Sequence, residues 1–173
     1  MTRELLAWPE SSDWIVRISV AEILASGPFS DFAGVDRWFA VLQGGAVRLE
    51  TRGTSTQELG IAHPGLHAFP GDAPTHCTML GAATRDFNVM LRRARGRLQQ
   101  RTLEGNAALR SDAGFIALFA SHSIEVRSDS GGTCTLPGMA LAWWINPFHE
   151  LLSLRTHASA QVRGWWLEVD AND

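Results

Sequence analysis

Residues 85–93 read RDFNVMLRR and combine ionisable and apolar side chains at a spacing that could line a small pocket. In an extended strand successive side chains leave on opposite faces. Phe87, Val89 and Leu91 then share one face, and Asp86, Asn88, Met90 and Arg92 share the other. A carboxyl, a carboxamide, a thioether and a guanidinium in one row can donate to, accept from and ion-pair with a small polar molecule. The same alternation also describes an antiparallel strand with one wet face, and periodicity alone leaves both readings open. Upstream, WIVRISVAEIL (14–24) alternates through Trp14, Val16, Ile18 and Val20, which puts Arg17 and Ser19 together on the opposite face of a neighbouring strand. Pro70-Gly71-Asp72 forms a tight turn ahead of the polar strand.

Composition narrows the chemistry. The chain has 173 residues, is 45% apolar and carries a formal charge of −3 from 15 basic and 18 acidic residues. It can bury a core as one domain or as two fused halves, and so balanced a charge suits neither a dedicated nucleic-acid binder nor a membrane-surface protein. The run RRARGR (92–97) reads as a solvated face. All basic residues are Arg, and Tyr is absent. No Lys Schiff base and no Tyr acid can therefore operate here. Cys77 and Cys134 lack metal or disulfide-framework spacing and are both expected to be small buried hydrophobes. The N-terminus does not resemble a signal peptide, and no apolar run approaches membrane-spanning length, so a cytoplasmic location is expected.

These residues must be positioned by strands. Residues 37–43 (RWFAVLQ) are apolar on both faces, as in a central strand. Residues 46–51, 114–120, 123–127, 140–145, 150–155 and 162–169 read as further strands. Polar, Gly- or Pro-bearing turns separate them, at 52–57, 63–65, 129–133 and 136–139. Residues 93–114 could pass for a helix, but Gly96 and Gly105 interrupt them, and continued strand pairing fits better. The pattern is that of an all-β sandwich or barrel. A weak repeat is visible: RWFAVLQGGAVRLE followed by FPGD is echoed by GFIALFASHSIEVR followed by LPGM. Trp143-Trp144 and Trp165-Trp166 put one indole on each side of their strands, with core expected on one face and barrel wall or subunit contact on the other.

Taken together, GPFS with a following GVDR, FPGD and DFNVMLR resemble the HutD/Ves family, strongly over 14–93 and in outline beyond. The resemblance implies an RmlC-like cupin fold: a bicupin of two fused antiparallel β-barrel or sandwich halves, 14–93 and 109–170, in one unit over 1–173. It also implies a link to histidine utilisation and binding of a small acidic metabolite such as formylglutamate.

Metal-binding cupins present two His and a carboxylate from one motif and a third His from the next. When the closing Gly of that motif is set on Gly44, the carboxylate position falls on Arg37 and no His is available. His76 is a weak candidate for the lone remaining ligand. A guanidinium in place of a carboxylate turns a cation site into an anion site, because Arg is always charged and grips a carboxylate with a two-pronged fork. The expected ligand set is Arg17, Ser19, Ser30, Arg37, Asp86 and Asn88, with Arg37 and Arg17 as anion clamps and the Ser30 hydroxyl as a partner. No cofactor is expected. Arg37 is equally suited to a structural ion pair with Asp31, Asp36 or Asp86. The expected function is non-enzymatic binding of a small carboxylate that modulates histidine utilisation, with no nucleic-acid or membrane partner and with homodimer pairing through β edges. The alternative is a cupin enzyme on a small acid, either metal-dependent through His76 or metal-free with His76 and Asp86 as acid and base.

Overall fold

The computed structural model describes residues 1–63, 65–157 and 163–172. Pro64 of the expected 63–65 turn and Val162 of the expected last strand lie outside them. Every regular element described is a strand: β1 (Thr2–Trp8), β2 (Val16–Ile23), β3 (Gly27–Pro28), β4 (Val35–Gly44), β5 (Val47–Thr51), β6 (Gln57–Leu59), β7 (His67–Pro70), β8 (Thr75–Met79) and β9 (Thr84–Arg92), then β10 (Gly96–Glu104), β11 (Ala107–Ser111), β12 (Phe115–Ala120), β13 (Ile124–Ser128), β14 (Thr133–Leu136), β15 (Ala140–Ile145), β16 (Leu152–His157) and β17 (Arg163–Ala171). Among the described residues no helix is long and apolar enough to cross a membrane.

The chain divides into two units, Met1–Gly96 joined by Asn172, and Arg97–Ala171. The first contains a sheet ordered β1-β2-β9-β4-β7 and a second ordered β3-β8-β5-β6. Phe39, Val41 and Phe69 of one sheet and Val47, Leu49, Leu59 and Cys77 of the other close a shared core. The second unit has sheets β10-β17-β12-β15 and β11-β16-β13-β14 around Leu109, Ile116, Leu118, Val126, Leu154 and Trp166. Adding eight to each strand number from β2 to β9 turns the orders β2-β9-β4-β7 and β3-β8-β5-β6 into those of the second unit. Among the described residues strand β1 has no counterpart. The faint sequence repeat is therefore a complete topological one.

Several elements differ from the sequence reading. Strands β1, β3, β6, β7, β8, β11 and β14 fall in stretches without clear alternation, and their extended form comes from the ladders they make with partner strands. Examples are β1 on β2 and β8 on β5. Residues 96–104 are a strand, as their interrupting glycines argue. Cys77 is buried as expected, but Cys134 is exposed on β14, so only one thiol belongs to a core. Trp165 and Trp166 are both fully buried, so neither forms an outer wall. In the other pair Trp144 packs on Trp166 with ring centroids 6.2 Å apart, and Trp143 is exposed.

Gly44 closes β4 at φ +93, and a Cβ placed there would sit 2.0 Å from the Ala83 carbonyl oxygen. Gly44→Ala is expected to destabilise the protein by about 1–3 kcal/mol for the backbone conformation alone, with the clash adding to this. Urea unfolding of the variant beside wild type checks it, and an unchanged midpoint would contradict it.

Candidate functional site

Strand β9 lies between β2 and β4, and its register brings the polar residues of three strands into rows. Arg17, Met90 and Arg37 form one row, Ser19, Asn88 and Phe39 the next, and Ala21, Asp86 and Val41 the third. All of these except Val41 line a cavity of about 350 Å³, whose lining also includes Pro28, Phe29, Ser30 and Phe32. All six residues expected from sequence thus line one cavity. Asp86, Asn88 and Met90 are buried on this face as Phe87, Val89 and Leu91 are on the other, so the reading of β9 as a strand with one wet face does not hold. Arg92 leaves the row: its guanidinium bonds Asp13 at 2.6 Å and lies over the Trp14 ring.

Arg37 is the most unusual group in the cavity. It is 8% exposed, yet among the described residues it makes no ion pair. The three carboxylates suited to pair with it do not. Asp36 takes Arg93 at 2.8 Å, Asp86 bonds Thr84, and Asp31 forms no described bridge to Arg37. Nη2 of Arg37 donates to Asn88 Oδ1 at 3.2 Å and Nη1 to the Ser30 carbonyl at 3.5 Å, while buried Nε has no partner. Ser30 thus meets Arg37 through its backbone carbonyl. Phe29, Phe69 and Phe32 place their rings 4.8, 5.2 and 5.7 Å from the guanidinium carbon. Ring faces hold a cation without neutralising it. Burial lowers the Arg37 pKa to about 10, which still leaves it charged near neutrality. Gly71 of the FPGD corner lets the Arg37 stem pass, since a Cβ there would stand 3.2 Å from Cγ and Cδ. Asp72 of that corner accepts from Arg93 and from the Gly34 amide, which makes it a turn residue.

Asp86 is the counterpart in acid. It is fully buried, Oδ1 accepts from the Thr84 hydroxyl at 2.8 Å, and Oδ2 has no partner. Burial pushes its pKa up to about 7, and the Thr84 bond opposes this only in part. Arg17 differs from Arg37: at the half-buried rim its Nε meets Glu4 Oε2 of β1 at 2.6 Å, so it is already compensated and is not a free anion clamp.

His76 is exposed on β8, paired in register with Pro28 and Glu50, and is not among the cavity-lining residues. The acid–base pair of His76 with Asp86 is therefore not assembled. Among the described residues no cluster of three His, Cys, Asp or Glu could hold a metal. The sequence reading missed the aromatic cradle. Its signal was present as two Phe, at 29 and 32, in a Gly/Pro loop where polar residues are the norm.

An acid whose folded pKa lies above its ordinary value of 3.8 keeps its proton after the unfolded chain has lost it. Asp86 therefore subtracts stability progressively as pH rises from about 4 to about 7, and the loss is constant above that. Asp86→Asn does not ionise and should gain on wild type by about 1.4 kcal/mol per pH unit across this window, up to roughly 4 kcal/mol. Urea unfolding at several pH values checks this. Parallel profiles for the two proteins would overturn the assignment.

The HutD family model matches residues 1–162, well beyond the stretch in which the motifs are strongest. An uncharacterised protein of the hutC 3′ region of Pseudomonas putida is 39% identical over 64% of this chain, and the match spans only 57% of that protein's length. Protein Ves of Cronobacter sakazakii is 30% identical over 93% of this chain and 84% of its own. Among solved structures, a conserved protein of unknown function from Pseudomonas aeruginosa PAO1 superposes with a TM-score of 0.87 at 27% identity, covering 99% of this chain and 91% of that one. A cupin barrel protein from Leptotrichia buccalis reaches 0.59 at 7% identity, covering 99% and 88%, so the fold is that of the cupins. The motifs read from the sequence gather at the cavity: GPFS lends Pro28, Phe29 and Ser30 and DFNVM lends Asp86, Asn88 and Met90 to its lining, while FPGD packs Phe69 and Gly71 against Arg37. On the match over residues 1–162, this chain belongs to the HutD family.

Proposed function

We propose that the chain is a non-enzymatic binding protein that holds a small carboxylate in its first unit and thereby modulates histidine utilisation. Membership of the HutD family suggests a role associated with histidine utilisation. The single observation that carries the ligand class is Arg37, a buried guanidinium that faces a cavity and has no counter-ion among the described residues. Burying an uncompensated charge is costly, and a bound carboxylate would offset that cost by filling the idle donors of the fork. A volume of about 350 Å³ is at the small end of ligand sites, which suits a metabolite of a few carbons. N-formylglutamate, urocanate and glutamate are the first candidates.

Thermal unfolding with each acid in excess tests this. A true ligand at a hundred times its Kd stabilises by about 2.7 kcal/mol. Arg37→Met should weaken binding by roughly ten- to 150-fold, the loss of a charge-assisted hydrogen bond worth about 1.5–3 kcal/mol. If the three acids all leave the melting temperature unchanged, the ligand assignment fails. If Arg37→Met responds as wild type does, the site assignment fails.

A further inference from the structure

The cavity holds a second unmatched group besides Arg37. Asp86 Oδ2 is buried, faces no protein donor and lies two residues along β9 from Asn88, the side chain that meets Arg37. Two residues of extended strand span about 7 Å. A lone buried carboxyl oxygen is rarely left without a partner in a folded protein unless something else supplies one. The other charged groups near the cavity are already matched: Arg17 by Glu4, and Glu22 by Arg85. The cavity therefore has an unpaired cation and an unpaired acid two rows apart on the sheet: Arg37 stands opposite Met90, four residues along β9 from Asp86, and four residues of extended strand span about 13 Å.

Resting on the reading of Arg37 as a carboxylate site, we infer that the ligand is a two-ended molecule: an acid seated on Arg37 that carries, a few bonds from its carboxylate, an N–H donor seated on Asp86. Asn88 stands between the two anchor points and has a carboxamide nitrogen for a carbonyl or carboxylate oxygen in the middle of the ligand. An acid of the same length ending in a methyl group would leave Asp86 Oδ2 dry and unpaired. A site built to bond a polar group discriminates strongly against an analogue that lacks it.

The groups facing Asp86 set its pH response. On its own strand Thr84 donates to it. On β2 stand Arg17 and Glu22, each already ion-paired, and on β4 stands Arg37. On β8 the Cys77 thiol is pushed up to about 11 by burial and by Asp86, so it stays neutral near physiological pH. Asp86 is thus the group lining the cavity that burial moves into the neutral range. A ligand N–H favours its ionised form, so such a ligand should bind more tightly as pH rises toward about 8, whereas an alkyl acid should gain nothing.

Calorimetric titration of wild type with 4-aminobutanoate and 5-aminopentanoate, beside pentanoate and hexanoate as their methyl-ended counterparts, tests the inference. The expected result is at least about a tenfold preference for an amino acid over its methyl counterpart. That preference should grow between about pH 5 and about pH 8 and should be lost in Asp86→Asn. Equal binding of amino and methyl acids, or a preference that survives in Asp86→Asn, overturns the two-ended ligand while leaving the carboxylate site standing. Should no carboxylate bind at any pH, both readings fall together. The pH series on wild type decides the matter even if the variant does not fold.

Discussion

A guanidinium enclosed by protein without a carboxylate to answer it is the constraint on which this site depends. Arg37 is held by one carboxamide, one backbone carbonyl and the faces of three Phe rings. None of these cancels its charge. They replace water well enough to keep the group in place and ionised, and leave its attraction for an anion undiminished. A paired Arg would make a stable wall and a poor site. The rim pair of Arg17 with Glu4 is the contrasting case in the same row of the sheet.

The two units show how one topology can be left open or closed. Their strands correspond one for one from β2 onward. In the first unit Val41 of β4 stands opposite Asp86 of β9. In the second, Leu118 occupies the repeat position of Val41 and stands opposite Trp166 of β17. Where the first unit presents a small carboxyl to a cavity, the second inserts an indole into its core. Trp166 packs there with Ile116, Leu118 and Leu154, and apolar area removed from water stabilises that unit at about 25 cal/mol per Å². The first unit forgoes part of that gain where its cavity stands. Strand β1 extends its sheet and brings the Glu4 that neutralises Arg17, a feature the second unit has no strand to supply.

Much of this was legible before folding because a strand's period of two is written directly into the chain. Asp86, Asn88 and Met90 had to share a face, as did Arg17 and Ser19, whatever lay around them. Family motifs added Arg37 and the cupin fold. The short strands were not legible: β6, β8 and β14 carry little alternation of their own and owe their form to the strands they pair with, β5 for the first two and β13 for the third. Nor were the roles of individual charges. Local sequence makes Asp36 the natural partner for Arg37, yet as neighbours on one strand they point to opposite faces, and Asp36 meets Arg93 instead.

The sequence by itself determined the all-β character, the duplication and which side chains could share a face, because alternation and turn chemistry act over a few bonds. The tertiary structure alone decided which charges are answered and which are not. Ion pairing depends on distances set by strand register: Glu4 reaches Arg17 across β1 and β2, while the register that puts Arg37 beside Asn88 leaves it without an acid. Burial decided the rest. The same Asp86 carboxyl would be an ordinary surface anion in water, and only the enclosing sheets raise its pKa into the neutral range.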